Sequence, residues 1–146
     1  MVQGTVVTIT IAQASGEPMT LVPEVVAVAG KGLEGDRYFA AQPAALVTLI
    51  EAEAIDAMER ENGYKLDYAD ARRNLVTRGV PLNDLVDKEF RVGTVAMRGV
   101  RLSEPCAHLA SLTDERVLRG LVHRAGLKAQ VLNDGVIRVG DAVTHS

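Results

Sequence analysis

Gly30-Lys31-Gly32-Leu33-Glu34-Gly35-Asp36-Arg37-Tyr38-Phe39-Ala40-Ala41-Gln42-Pro43 is the stretch that separates two folds. Its glycines at 30, 32 and 35 have the spacing of the dinucleotide-binding fingerprint, in which the last glycine opens a helix facing a pyrophosphate. Here Pro43 would stop such a helix after about two turns, and the next good helix-forming segment starts near Leu49. No strand–helix–strand unit follows, so the sequence reads against a doubly wound nucleotide fold. The glycines instead mark a loop between strands, whose amides can approach an anion while Arg37 supplies charge. The plainer alternative is a tight turn with a solvent-exposed Asp36–Arg37 salt bridge.

Working outward, Thr5–Ile11 and Val25–Ala29 are rich in β-branched residues and read as strands, with a turn at Ser15-Gly16-Glu17-Pro18 between them. Thr48-Leu49-Ile50-Glu51 has the capping-box form and opens a helix that Asn62-Gly63 stops. Leu75-Val76-Thr77 reads as a strand. Phe90–Met97 reads as another, bending at Gly99 and continuing through Leu102. Thr113-Asp114-Glu115 starts a second helix, with Leu118, Leu121, Val122 and Ala125 as its apolar stripe and Gly126 as its C-cap. Asn133-Asp134-Gly135 between apolar flanks is a hairpin signal. Two helices among short glycine-punctuated strands predict an α+β, β-rich fold: a small β-barrel with flanking helices.

The chain has 146 residues, with no internal repeat or linker, so residues 1–146 read as a single domain. With 47% hydrophobic and 24% charged residues it has an ordinary globular composition. A net charge of −3 and 3% aromatics disfavour nucleic acid as a partner. No apolar run approaches the length of a membrane span, and the start carries no secretory pattern, which predicts a cytoplasmic protein. One cysteine, Cys106, excludes an internal disulfide and a cysteine-rich zinc cage.

Twelve of the sixteen basic residues are Arg, and seven basic residues fall between positions 72 and 101, opposed there only by Asp84, Asp87 and Glu89. Guanidinium forks suit phosphate and carboxylate, so either a small anionic ligand or a solvated basic face is in prospect. In Arg72-Arg73-Asn74 the two arginines must point in different directions, so at most one faces a ligand. Asn74 suits a heterocycle edge or a turn. In Glu104-Pro105-Cys106 the proline stiffens the backbone beside the thiol. Cys106 is then either a small buried hydrophobe or, beside His108 and after Arg98 and Arg101, a thiolate fit for a nucleophile, persulfide carrier or soft-metal ligand. His123 reads as a packing residue on an apolar helix.

Gly32-Leu33-Glu34-Gly35-Asp36-Arg37, Val47–Glu53, Arg73-Asn74-Leu75-Val76, Phe90-Arg91-Val92-Gly93, Glu104-Pro105-Cys106 and Gly135–Asp141 occur in this order. Together, from about Gly30 to Val143, they resemble the MOSC domain, named after the C-terminal domain of molybdenum cofactor sulfurase. The resemblance implies a small β-barrel and either molybdenum cofactor chemistry or carriage of sulfur for metal–sulfur assembly. By motif position it implies Cys106 as the molybdenum ligand and catalytic residue, and Arg37, Arg73 and Asn74 as cofactor-binding residues. The first expectation is reduction of N-oxygenated small molecules at a cysteine-ligated molybdenum. The alternative is a sulfur carrier with a persulfide on Cys106, received from a pyridoxal phosphate-dependent cysteine desulfurase. A third is a small binding or oligomerising domain with an inert cysteine. Larger relatives carry an extra N-terminal barrel or a desulfurase domain that this chain lacks, so a redox or desulfurase partner is expected.

Overall fold

Short segments with buried and exposed residues in alternation build the molecule around a barrel. The computed structural model describes residues 2–41, 45–104, 114, 116 and 120–145. The strands are β1 (Val2–Ile11), β2 (Thr20–Val22), β3 (Glu24–Val28), β4 (Gly32–Leu33), β5 (Val47–Glu51), β6 (Leu75–Arg78), β7 (Glu89–Val92), β8 (Val95–Leu102), β9 (Leu127–Val131), β10 (Gly135–Arg138) and β11 (Ala142–His145). Seven of them close in the order β11-β7-β8-β9-β5-β6-β1, with β1 pairing back to β11 and β2 attached outside β1. Closure removes the unpaired edges that an open sheet would expose. A second sheet, β10-β3-β4, packs Val25, Ala27, Leu33 and Ile137 into the barrel's own core.

β5 and β6 form a parallel pair, Leu49 opposite Leu75. A parallel pair needs a crossover, and α1 (Ala52–Asn62) supplies it. Its Ala54, Ile55 and Met58 pack outside the barrel against Ile50, Val76, Leu121 and Ala125. β5 is therefore covered on both faces: Val47 and Leu49 look into the barrel, Ile50 toward α1. Gly126, at φ +110, lets the start of β9 approach β5 so closely that a Cβ there would overlap the Leu49 carbonyl. No described helix is long and apolar enough to cross a membrane.

The expected fold class is found, but several local expectations are corrected. Val47–Glu51 is a strand and the helix begins at Ala52, because a strand buried on both faces reads as a continuous apolar run. Thr48 caps no helix; its hydroxyl binds Asn74. Phe90–Met97 is two strands joined by a tight turn at Gly93, whose φ of +61 suits glycine. Asn133-Asp134-Gly135 is not a hairpin. It carries the chain from β9 in the barrel to β10 in the second sheet, with Asn133 accepting from Ala96 N–H at 2.6 Å and Asp134 from Ala29 N–H at 2.8 Å. Of the second expected helix, Arg116 and Gly120 are helical; its start at Thr113 and Leu118 lie outside the described residues. Leu121 and Ala125 are buried as expected, whereas Val122 is exposed.

Candidate functional site

The Asp36-Arg37 motif follows β4 in a turn that brings both side chains under the end of β1. Asp36 is buried. Its carboxylate accepts from Ala12 N–H at 3.1 Å, Tyr38 N–H at 3.2 Å and Arg37 Nη1 at 3.2 Å. The Arg37 side chain is only 8% exposed. Its guanidinium lies 4.4 Å from the Tyr38 ring centroid, with Nη1 3.3 Å from Met19 Sδ and Nη2 3.5 Å from the Arg72 carbonyl. The salt bridge is thus buried rather than solvated, and it faces a second cation. The loop amides that were expected to greet an anion are engaged: those of Gly30, Lys31, Glu34 and Asp36 all donate to backbone carbonyls.

That second cation is Arg72. A 3-10 turn at Tyr68–Ala71 ends in Arg72 at φ +57, ψ +38, a left-handed conformation costly for a residue with a Cβ. This kink buries the side chain and brings Nη1 2.6 Å from the Glu17 carbonyl. Burial and the neighbouring Arg37 charge hold the Arg72 guanidinium below its usual pKa, with Tyr38, Asp36 and Asp70 acting in the opposite sense. Two guanidinium groups thus neighbour each other, with the Asp36 carboxylate bonded to Arg37 and acting on Arg72, as Asp70 does, through its charge.

Arg73 turns the other way, as adjacent residues must. Its Nε donates to the Ala125 carbonyl at 2.8 Å, and its own carbonyl accepts from the Thr10 hydroxyl at 2.8 Å. Asn74 is buried between β1 and β5. Its side-chain oxygen accepts from Thr48 N–H and hydroxyl, both at 3.1 Å, and its side-chain N–H donates to the Thr10 carbonyl at 3.1 Å. The Asn74 amide thus ties strands together and fixes the arginines that precede it.

One step beyond Arg73, the Gly126 carbonyl accepts from Ser103 N–H at 2.8 Å and fastens the end of β8. Glu104 follows, and its carboxylate accepts from His123 N–H at 3.0 Å and lies 3.0 Å from His123 Nδ1. His123 is 78% exposed, not the packing residue its apolar neighbours suggest. Cys106 lies outside the described residues. The other basic residues of the 72–101 cluster disperse: Arg78 pairs with Asp56 at 3.1 Å, and Arg91 and Arg98 are exposed on β7 and β8.

The structure therefore brings Arg37 to Arg72, and carries Arg73 to the point where β8 leads toward Cys106. Arg72 is the residue that sequence reasoning missed. Its only signal is adjacency to Arg73, and which of the two faces Arg37 depends on a backbone kink that the letters do not encode. Among the described residues no group of three or more His, Cys, Asp or Glu is placed to hold a metal ion.

The fold has solved counterparts. The YuaD protein of Bacillus subtilis superposes with a TM-score of 0.84 at 13% identity, covering 97% of this chain and 94% of that one. YiiM of Geobacillus stearothermophilus gives 0.75 at 18% identity, covering 97% and 74%. YiiM of Escherichia coli gives 0.68 at 19% identity, covering 98% and 68%. Such identities speak for the fold alone. No curated protein sequence matches significantly. The MOSC domain pattern matches residues 36–144, from the buried Asp36 to the closing strand β11, so the chain belongs to the MOSC domain family, a family associated with molybdenum cofactor binding.

Proposed function

We propose that this protein binds the molybdenum cofactor, with the pterin's phosphate end held by Arg37 and Arg72 and molybdenum ligated by Cys106. The observation that carries the reading is the pair of buried, neighbouring guanidiniums, with the buried Asp36 carboxylate bonded to Arg37. A buried cation beyond its counterion is costly unless paired, and a phosphate monoester brings charge and oxygens that match the planar forks. The residues present thus fit the anionic end of the group. Arg73 is turned away from this pair, onto the Ala125 carbonyl, and Asn74 acts as a positioning residue through the strands it joins. Asp36 aligns Arg37 without neutralising Arg72.

When bound, molybdenum supplies two-electron oxygen-atom chemistry, the kind required to reduce N-oxygenated small molecules. This chain's own part would be to hold the anion and to present one soft thiolate, with a redox partner protein as the source of electrons. Expression in a cofactor-competent host followed by metal determination tests the ligand role. Molybdenum should be present in the wild type and depleted in Cys106→Ala; equal content in both contradicts it. Incubation with a cysteine desulfurase and cysteine tests the rival role: one added, cyanide-labile sulfur on Cys106 would favour sulfur carriage.

A further inference from the structure

Arg37 and Arg72 both meet the loop Ala12–Met19 that joins β1 to β2, Arg37 lying also against Asp36 and the Tyr38 ring. The strands fix its two ends, with Ile11 paired to Thr20. Between them Gln13 to Pro18 are all exposed, and Gly16 sits at φ +84 with nothing within 4 Å of where a Cβ would stand. The loop nevertheless touches both cations. The Glu17 carbonyl accepts from Arg72 Nη1 at 2.6 Å, and Met19 Sδ faces Arg37 Nη1 at 3.3 Å. Neither atom carries a charge, and a thioether is a weak acceptor. Each guanidinium has donors in excess of these contacts, and charged oxygens make stronger, shorter bonds to it than a carbonyl or a sulfur does.

Resting on the reading of the arginine pair as a phosphate site, we propose that Gln13–Met19, hinged on the fixed Ala12, is a self-occupying strap. Its Glu17 carbonyl and Met19 sulfur fill the places that a phosphate monoester takes, and the loop moves outward as the anion enters. Two features favour displacement over permanent support. The loop's middle is solvent-exposed on consecutive residues, so moving it uncovers little apolar surface. Its ends are anchored by strand pairing, and Ala12 N–H bonds Asp36 independently of Glu17 and Met19. The strap keeps two cations from lying bare in the empty protein and lowers anion affinity by the free energy needed to lift it.

The test is titration calorimetry with inorganic phosphate on three forms: wild type, Met19→Ala, and a chain in which Ala12–Met19 is replaced by Asn-Gly, a sequence suited to a two-residue hairpin turn. The strap predicts saturable binding in the wild type and an affinity roughly five- to tenfold higher in the shortened chain, about 1–1.4 kcal/mol. Met19→Ala, which keeps the loop, should show a smaller gain and covers the case in which the shortened chain does not fold. In the wild type, phosphate should also speed amide hydrogen exchange at residues 13–17. If the wild type binds phosphate and neither variant binds more tightly, the strap is wrong and the phosphate site stands. If no form binds phosphate, the site itself is wrong and the strap falls with it.

Discussion

Asn74 and Thr77 are both buried polar residues, with opposite energetic standing. The Asn74 side chain bonds Thr48 twice and Thr10 once. Asn74→Ala would leave the Thr48 amide and the Thr10 carbonyl unpaired in the interior, a loss on the order of 3 kcal/mol in a urea unfolding curve. The Thr77 hydroxyl is fully buried with no hydrogen-bond partner. Thr77→Val keeps the shape and removes the orphan, so a gain of about 1 kcal/mol is expected. Glu51 adds a pH dependence. Burial pushes its carboxyl up, as do Glu53 and Asp84, against the Leu82 N–H that favours the anion. The folded protein thus keeps this proton where the unfolded chain has lost it, so the stability linked to Glu51 is present at low pH and fades as pH rises above the ordinary carboxylate range. Glu51→Gln should raise the Tm more at pH 8 than at pH 4. At this scale the sequence was partly legible. Motif position singles out Arg37 and Arg73, whereas the approach of Arg72 to Arg37 follows from a positive φ that the letters do not encode.

Among the elements, the β5–α1–β6 unit holds the site together. β5 supplies Thr48 to Asn74, and the pairing of β5 with β6, Leu49 opposite Leu75, sets Arg73 and Asn74 just ahead of β6 beside β5. Its tightest point is Gly126, where any Cβ meets the Leu49 carbonyl and φ is positive. Gly126→Ala is expected to cost more than about 3 kcal/mol, read from the urea midpoint. It should also loosen Arg73, whose Nε bonds the adjacent Ala125 carbonyl. Among strands facing solvent on one side, β7 shows itself by alternation and β3 by its β-branched residues. β5 does not, since burial of both faces erases the period that tells a strand from a helix. The link at Asn133–Gly135 misled for a related reason: turn chemistry marks where a chain bends, not which strand it pairs with next.

For the whole molecule, barrel closure through β1 and β11 was not readable residue by residue, because those partners are more than a hundred positions apart. The class of fold was readable, from short strands, glycine punctuation and the ordered motifs. Closure draws Asp36-Arg37, Arg72-Arg73-Asn74 and the Ser103–Gly126 contact, distant in sequence, to one region. In the proposed function, this convergence builds an anion site for a phosphorylated pterin around Arg37 and Arg72. Its most direct test is pterin content, by fluorescence after oxidation, in wild type and in Arg37→Gln/Arg72→Gln purified from a molybdenum cofactor-competent host, with folding checked by circular dichroism. Pterin is expected in the wild type, with at least a tenfold drop in the folded double variant; equal pterin in both would overturn the anion site.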